Sequence, residues 1–245
     1  MFGARRPRDG RIGTFAEQIS VDQSDVALRP ANITVTEAAS LPLVALTAWQ
    51  ALVERGQVRP GHKVLIHAGS GGVGTIAIQL ARHLGAYVAT TASARNADFL
   101  TLLGADLVID YAAERFEDKV RGYDLVIDNL GQESVLRSLT VLKPGGAVIG
   151  LAGPPTPSYA SAAGANPLVR TAITALSSKV RRKAKTLGVT YEFLFMHASG
   201  DQLQQMRRWS TTASSVPCSV RPSRPPTCRR HWVESAPTAC AARRS

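Results

Sequence analysis

Residues 68 to 74 read AGSGGVG, behind the apolar run VLIHA and ahead of TIAIQLARHLG. The helix that follows carries Val73, Ile76, Ala77, Leu80, Ala81 and Leu84 on one face. Strand, glycine turn and amphipathic helix, in that order, form the arrangement that holds a nucleotide phosphate. The spacing of Gly69, Gly71 and Gly74 permits a tight turn, close approach of a pyrophosphate, and contact between helix and strand. A purely structural glycine turn has the same letters, so the surrounding chain has to decide.

From Lys63 onward, short apolar runs alternate with helix-period segments. VLIHA, YVATT, LVID, YDLVID and AVIGLAG read as strands; RNADFLTLL, a short polar piece after LVID, and SVLRSLTVL read as helices. Strands without polar alternation, flanked by helices, belong in a parallel sheet covered on both faces. The expected fold is therefore α/β, a doubly wound Rossmann-type domain. Upstream, Thr34 and Glu37 fit a capping box. Pro42 is expected to interrupt that helix, leaving LVALTAWQALVERG as a second one ended by Gly56. Further back, IGTFAEQISV reads as a strand. Downstream, PPTPSYASAAGAN (154–166) reads as a loop, Pro167 opens a helix running to about Leu187, and VTYEFLFM reads as a strand.

The chain has 245 residues, 44% hydrophobic and 19% charged, which is a globular balance. It holds no run of about 18 apolar residues that would span a bilayer. MFGARRPRDG does not lead into the apolar stretch of a signal peptide, so a cytoplasmic protein is expected. The net charge of +11 points toward an acidic partner only until it is located. Arg207 to Ser245 carries eight Arg against one Glu, which leaves +4 for the first 206 residues. That segment also holds Cys218, Cys228 and Cys240, at spacings that match neither a redox pair nor a zinc site. Its composition predicts a disordered basic tail over 206–245, of the kind a shifted reading frame produces. Its arginines are interleaved with Pro and Ser and form no amphipathic face, which argues against nucleic acid as a partner.

A phosphate-binding P-loop would need Lys where Thr75 stands, and a short-chain dehydrogenase would need Tyr with Lys four residues on, which none of the five tyrosines has. The loop is accordingly read as a dinucleotide site. An NAD-specific site places an acid about 20 residues beyond the loop, on the ribose 2′-hydroxyl. Here the region reads VATTASARNAD, with no acid before Asp98. Ser93 and Arg95 instead offer a hydroxyl and a guanidinium to a 2′-phosphate. NADPH is expected in preference to NADH, although Ser93 as a simple helix cap and Arg95 as a solvated residue fit the same letters.

LPLVALTAWQAL, HKVLIHAGSGGVG, ATTASARN, LGADLVIDY and LKPGGAVIGLAG together resemble the zinc-independent medium-chain dehydrogenase/reductases, in particular their quinone oxidoreductase-like branch, over roughly residues 10 to 205. The resemblance implies Thr47 near the nicotinamide ribose, Gly69, Ser70, Gly71, Gly72, Val73 and Gly74 under the pyrophosphate, and Ser93, Arg95 and Tyr111 around the 2′-phosphate. It implies Asn129, Leu151, Ala152 and Phe195 on the nicotinamide side. Thr47 as a helix hydroxyl, Tyr111 as a strand-end aromatic and Phe195 as a core residue are the plainer alternatives. No metal is implied, because the zinc-dependent relatives use Cys and His ligands and residues 1 to 206 contain no Cys. The implied activity is NADPH-dependent reduction of a small-molecule quinone or enone, with no catalytic side chain assigned. Residues 1–34 resemble the last part of a co-chaperonin-like catalytic β-barrel, so 35–205 would be the Rossmann domain and much of the substrate cleft would lie outside the chain. A cofactor-binding fragment with little turnover is the rival expectation. An exposed sheet edge would allow a homodimer.

Overall fold

The computed structural model describes residues 2–3 and 19–212. The expected basic tail lies outside them beyond residue 212, as do all three cysteines and most of the strand expected in IGTFAEQISV. A short antiparallel pair, β1 (Phe2–Gly3) with β2 (Val26–Ala27), precedes the main domain.

The domain opens with α1 (Val35–Trp49), which continues through a π-helical turn over Gln50–Arg55. The capping box forms as read: Thr34 Oγ1 accepts from the Glu37 backbone N–H at 3.2 Å, and the Glu37 carboxylate accepts from the Thr34 N–H at 2.8 Å. Pro42, however, sits inside one continuous helix instead of dividing two. Its ring is buried beside Ala38, Ala45 and Leu46, and that burial offsets the hydrogen bond a proline cannot make.

Then come β3 (Lys63–Ile66), α2 (Gly72–His83), β4 (Tyr87–Ala92), α3 (Ala97–Leu102), β5 (Leu107–Asp110), α4 (Phe116–Lys119), β6 (Tyr123–Asp128), α5 (Gln132–Ser138) and β7 (Leu142–Gly150). The strands pair in the order β5-β4-β3-β6-β7-β8, all parallel, with β8 at Thr190–Phe193. This is the doubly wound order, which reverses direction between β3 and β6. Side chains alternate as a sheet covered on both faces requires. Val64, Ile66, Leu125 and Ile127 pack with α1, α2 and α3 on one side. Leu65, Val126 and Val148 pack with α5 and with Val180 and Ala184 on the other.

Three segments differ from their reading. The stretch 154–166 contains a helix, α6 (Pro157–Ala162), capped by Thr156 with Pro157 in its first turn. The helix expected from Pro167 to Leu187 is two, α7 (Pro167–Leu176) and α8 (Ser178–Thr186). Ser177 between them is buried and donates its hydroxyl back to the Ile173 carbonyl at 2.9 Å, a bond that bends helices. The last helix, α9 (Gly200–Thr212), crosses the boundary expected at residue 206. Met206 is buried and Trp209 packs on the same core, its ring 5.8 Å from that of His83.

Candidate cofactor-binding site

Where the strand order reverses, the loops after β3 and β6 diverge and leave a crevice at the carboxyl ends of the strands. The loop after β3 starts with Ala68 in the left-handed region, φ +51, an uncommon place for a residue with a Cβ. It is closed by Gly69 N–H to the Thr91 carbonyl, 3.0 Å, and Gly71 N–H to the Ala68 carbonyl, 2.9 Å. Each fingerprint glycine then has a separate reason to be glycine. A Cβ on Gly69 would stand 2.1 Å from Thr90 Oγ1, whose hydroxyl is committed to the Ile66 carbonyl. A Cβ on Gly74 would stand 2.5 Å from the Ala68 oxygen and 2.7 Å from the Gly69 Cα, so that position lets α2 lie against the loop. Gly71 is exposed, and its absent Cβ would meet only the Ala68 oxygen, at 3.2 Å. Ser70 and Gly72 are exposed beside it and Val73 is half-buried. No side chain caps α2 at Gly71. Its first N–H groups and the positive end of its dipole therefore face the crevice, as an anionic pyrophosphate requires.

At the end of β4, Ser93 precedes a single 3₁₀ turn, Ala94–Asn96, and accepts a hydrogen bond from the Asn96 side chain at 3.1 Å. It makes no capping bond. Arg95 is exposed and pairs with no carboxylate among the described residues. Tyr111, 68% exposed, follows β5 and is held to β4 by its N–H on the Ala92 carbonyl. It also borders a cavity of about 310 Å³ lined further by Thr91, Phe116, Leu130, Ser134 and Arg137. Ser134 Oγ is buried there without a hydrogen-bond partner.

On the other side of the crevice, Asn129 directly follows β6 and its Oδ1 is likewise buried without a partner. The Leu151 N–H binds the Asp128 carbonyl at 2.7 Å, and the Leu194 N–H binds that of Gly150 at 2.9 Å. Leu151, exposed Ala152 and Phe195 thus lie just past the adjacent strand ends of β7 and β8. Phe195 is 51% exposed with its ring 5.6 Å from that of Tyr159, so it is no core residue. Thr47, on α1, donates its hydroxyl to the Leu43 carbonyl at 2.7 Å, the plainer role foreseen for it, and keeps its lone pairs for accepting.

Sequence reading missed the buried chain beneath the crevice. His67, Thr91, Asp128 and Ser138 are all at most 3% exposed. Thr91 Oγ1 accepts the Ala68 N–H at 3.2 Å and lies 3.0 Å from His67 Nδ1; His67 Nε2 lies 3.0 Å from Ser138 Oγ, which donates to Asp128 Oδ2 at 2.9 Å. Asp128 Oδ1 accepts the Leu130 N–H at 3.0 Å. Since Ser138 gives its proton to Asp128, it must accept from His67 Nε2–H, which leaves Nδ1 to accept from Thr91. Burial favours neutral imidazole, against the pull of Asp128, and lowers the His67 pKa. One directed chain thus pins both lips of the crevice, the loop after β3 at Ala68 and the loop after β6 at Leu130. The signal available in sequence was a polar residue at the end of each apolar strand, His67 in VLIHA and Asp128 in YDLVID.

Residues 72–182 match the family model described as zinc-binding dehydrogenase. The chain is 42% identical over 149 residues to a 2-methylene-furan-3-one reductase of Solanum lycopersicum, and 41% identical over 149 residues to a chloroplastic NADPH-dependent alkenal/one oxidoreductase of Arabidopsis thaliana. Each alignment covers 60% of this chain and 38% of the relative. A quinone oxidoreductase structure from Coxiella burnetii superposes with a TM-score of 0.61 at 33% identity, over 74% of this chain and 51% of that one. The chain carries a zinc-binding dehydrogenase domain over residues 72–182, and the proteins it resembles are alkenal and quinone oxidoreductases of the medium-chain dehydrogenase/reductase superfamily. It spans well under two thirds of the length of these medium-chain relatives. The matched residues start at the first residue of α2 and end inside α8, so they take in the crevice lip after β6 but not β3 or the Ala68–Gly71 part of the glycine loop.

Proposed function

We propose that this chain binds NADPH and serves reduction of a quinone or an activated double bond without zinc. The observation that carries the proposal is the uncapped start of α2 under an open Gly71, paired with a second-strand end that offers Ser93 and the unpaired Arg95 in place of an acid. The unpartnered oxygens of Asn129 and Ser134, both on the β6 side of the crevice, fit the same cofactor, because a bound dinucleotide would bring polar groups to that side. NADPH supplies the hydride when bound. The chain's own part is placement: backbone N–H groups of the loop on the pyrophosphate, Ser93, Arg95 and Tyr111 on the 2′-phosphate, and the cavity beside Tyr111 around the adenine. Asn129, Leu151, Ala152 and Phe195 set the nicotinamide face, with Thr47 accepting from the ribose. Zinc independence rests on the lack of any Cys before Cys218. The named functions of the relatives, an alkenal/one oxidoreductase and a furanone reductase, support the substrate class. The exposed edge at β8 suits pairing with a second copy.

Calorimetric titration tests the cofactor: NADPH should bind more tightly than NADH, and equal affinity for both would overturn the preference. Arg95→Ala should weaken NADPH roughly ten- to hundredfold, the loss of one charge-assisted contact of about 1.5 to 3 kcal/mol, while leaving NADH nearly unchanged. NADPH oxidation with quinones and enones, followed at 340 nm, tests turnover. Positioning of the acceptor can supply roughly 7 to 11 kcal/mol of barrier reduction. Turnover far below that of a full-length relative would therefore favour the cofactor-binding fragment over the complete reductase.

A further inference from the structure

Helix α7 has no buried residue. Leu168 is 83% exposed and Leu176 is 56% exposed; with Ala172 between them at i+4 they form a continuous apolar stripe, and exposed Val169 flanks it. The polar residues of the helix do not offset this. The Thr171 and Thr174 hydroxyls donate into their own helix, to the Pro167 and Arg170 carbonyls at 3.0 and 2.7 Å, so the donor of each is already used. A ten-residue helix is marginal in water when packing does not support it, and an apolar stripe of this kind on a surface marks an interaction site.

Charge decides what covers it. From Pro167 to Leu187 the chain carries Arg170, Lys179, Arg181, Arg182, Lys183 and Lys185 and no acid. None of the six pairs with a carboxylate among the described residues. A second copy presenting the same cations would be repelled. A convex, unpocketed helix with leucines outward and its hydroxyls satisfied internally suits a deformable apolar medium better than a shaped protein groove. Cations beside an inserted apolar stripe are the composition of a helix lying in an anionic lipid interface.

We infer that α7 and α8 dock this protein on an anionic lipid surface, with Leu168 and Leu176 entering the interface and the α8 cations meeting the headgroups. This inference is independent of the cofactor reading. The test is co-sedimentation of the full chain with phosphatidylcholine vesicles, with and without phosphatidylglycerol. Two double variants accompany it: Leu168→Ser with Leu176→Ser, which leaves the charge unaltered, and Arg181→Gln with Arg182→Gln. The wild type should bind the anionic vesicles and not the neutral ones, and each double variant should lower that binding about tenfold. Unchanged binding by the serine variant would assign the vesicles to charge elsewhere, such as the arginines beyond residue 212, and overturn the inference. So would equal binding to neutral vesicles, lipid-independent capture by polyglutamate at comparable affinity, or a shift of the serine variant from dimer to monomer. Those outcomes would identify a purely apolar contact, an acidic polypeptide and a second copy respectively as the occupant.

Discussion

Helices α2 and α7, twelve and ten residues long, are held in opposite ways. α2 begins on glycine with no side-chain cap, yet buries Gly74, Thr75, Ile76, Ala77, Ile78, Leu80 and Ala81. α7 buries nothing, yet begins with Pro167 and is capped by Asn166 Oδ1, which accepts the Val169 N–H at 2.9 Å. The first draws its stability from tertiary packing and can leave its N-terminal donors open. The second lacks packing and closes its donors locally. A missing side-chain cap is not peculiar to α2, since α3, α4, α5 and α8 lack one too; what sets α2 apart is the exposed glycine turn ahead of it, which leaves its first donors open to a ligand.

The comparison breaks most readily at Gly74. Gly74→Ala inserts a methyl 2.5 Å from the Ala68 oxygen, so α2 must lift from the loop. A loss of about 3 kcal/mol in urea unfolding is expected, with NADPH binding falling below detection. A variant as stable as the wild type would show that the packing of α2 does not rest on that contact. Ser138→Ala comes next, because it strands both His67 Nε2–H and Asp128 Oδ2. These atoms are 3.8 Å apart, too far to bond directly. Two buried groups without partners should cost about 2 to 3 kcal/mol and loosen the glycine loop, and calorimetric melting with and without NADPH would separate those effects. The same chain sets a pH dependence. His67 has its pKa lowered in the fold, so below 6.5 the unfolded chain takes up a proton that the folded one refuses. Stability should fall as pH drops through that range, and pH-resolved urea unfolding of the wild type against His67→Gln would detect it. The smallest effect belongs to α7. Asn166→Ala removes its cap at about 1 kcal/mol and should leave NADPH affinity untouched.

Local signals were legible in the sequence. The glycine fingerprint, the capping box at Thr34 and the alternation of strands with helices depend on neighbours within one turn or one strand, and the structure places them as read. The buried chain was not legible, because His67, Thr91, Asp128 and Ser138 come from four separate segments brought together only by the strand order. The helix at Pro157 was readable but overlooked: Thr156-Pro157 carries the same cap-and-proline signal as Asn166-Pro167, hidden among small residues. Pro42 misled for the opposite reason, since burial of its ring overrode a local rule.

The side chain of Gln50, fully buried in the π-helical turn, donates to the His197 carbonyl and to Gln202 Oε1, each at 2.8 Å, and accepts the His197 N–H at 3.0 Å. Gln50 and His197 stand 147 positions apart, and every strand of the parallel sheet lies between them. Contacts of such separation carry a large loop-closure cost and form late. The clasp can close only after the sheet has assembled, so during synthesis α1 can settle against α2 and β3 while Gln50 and Leu46 stay uncovered until β8 has emerged and the segment carrying Met196 and Leu203 folds back.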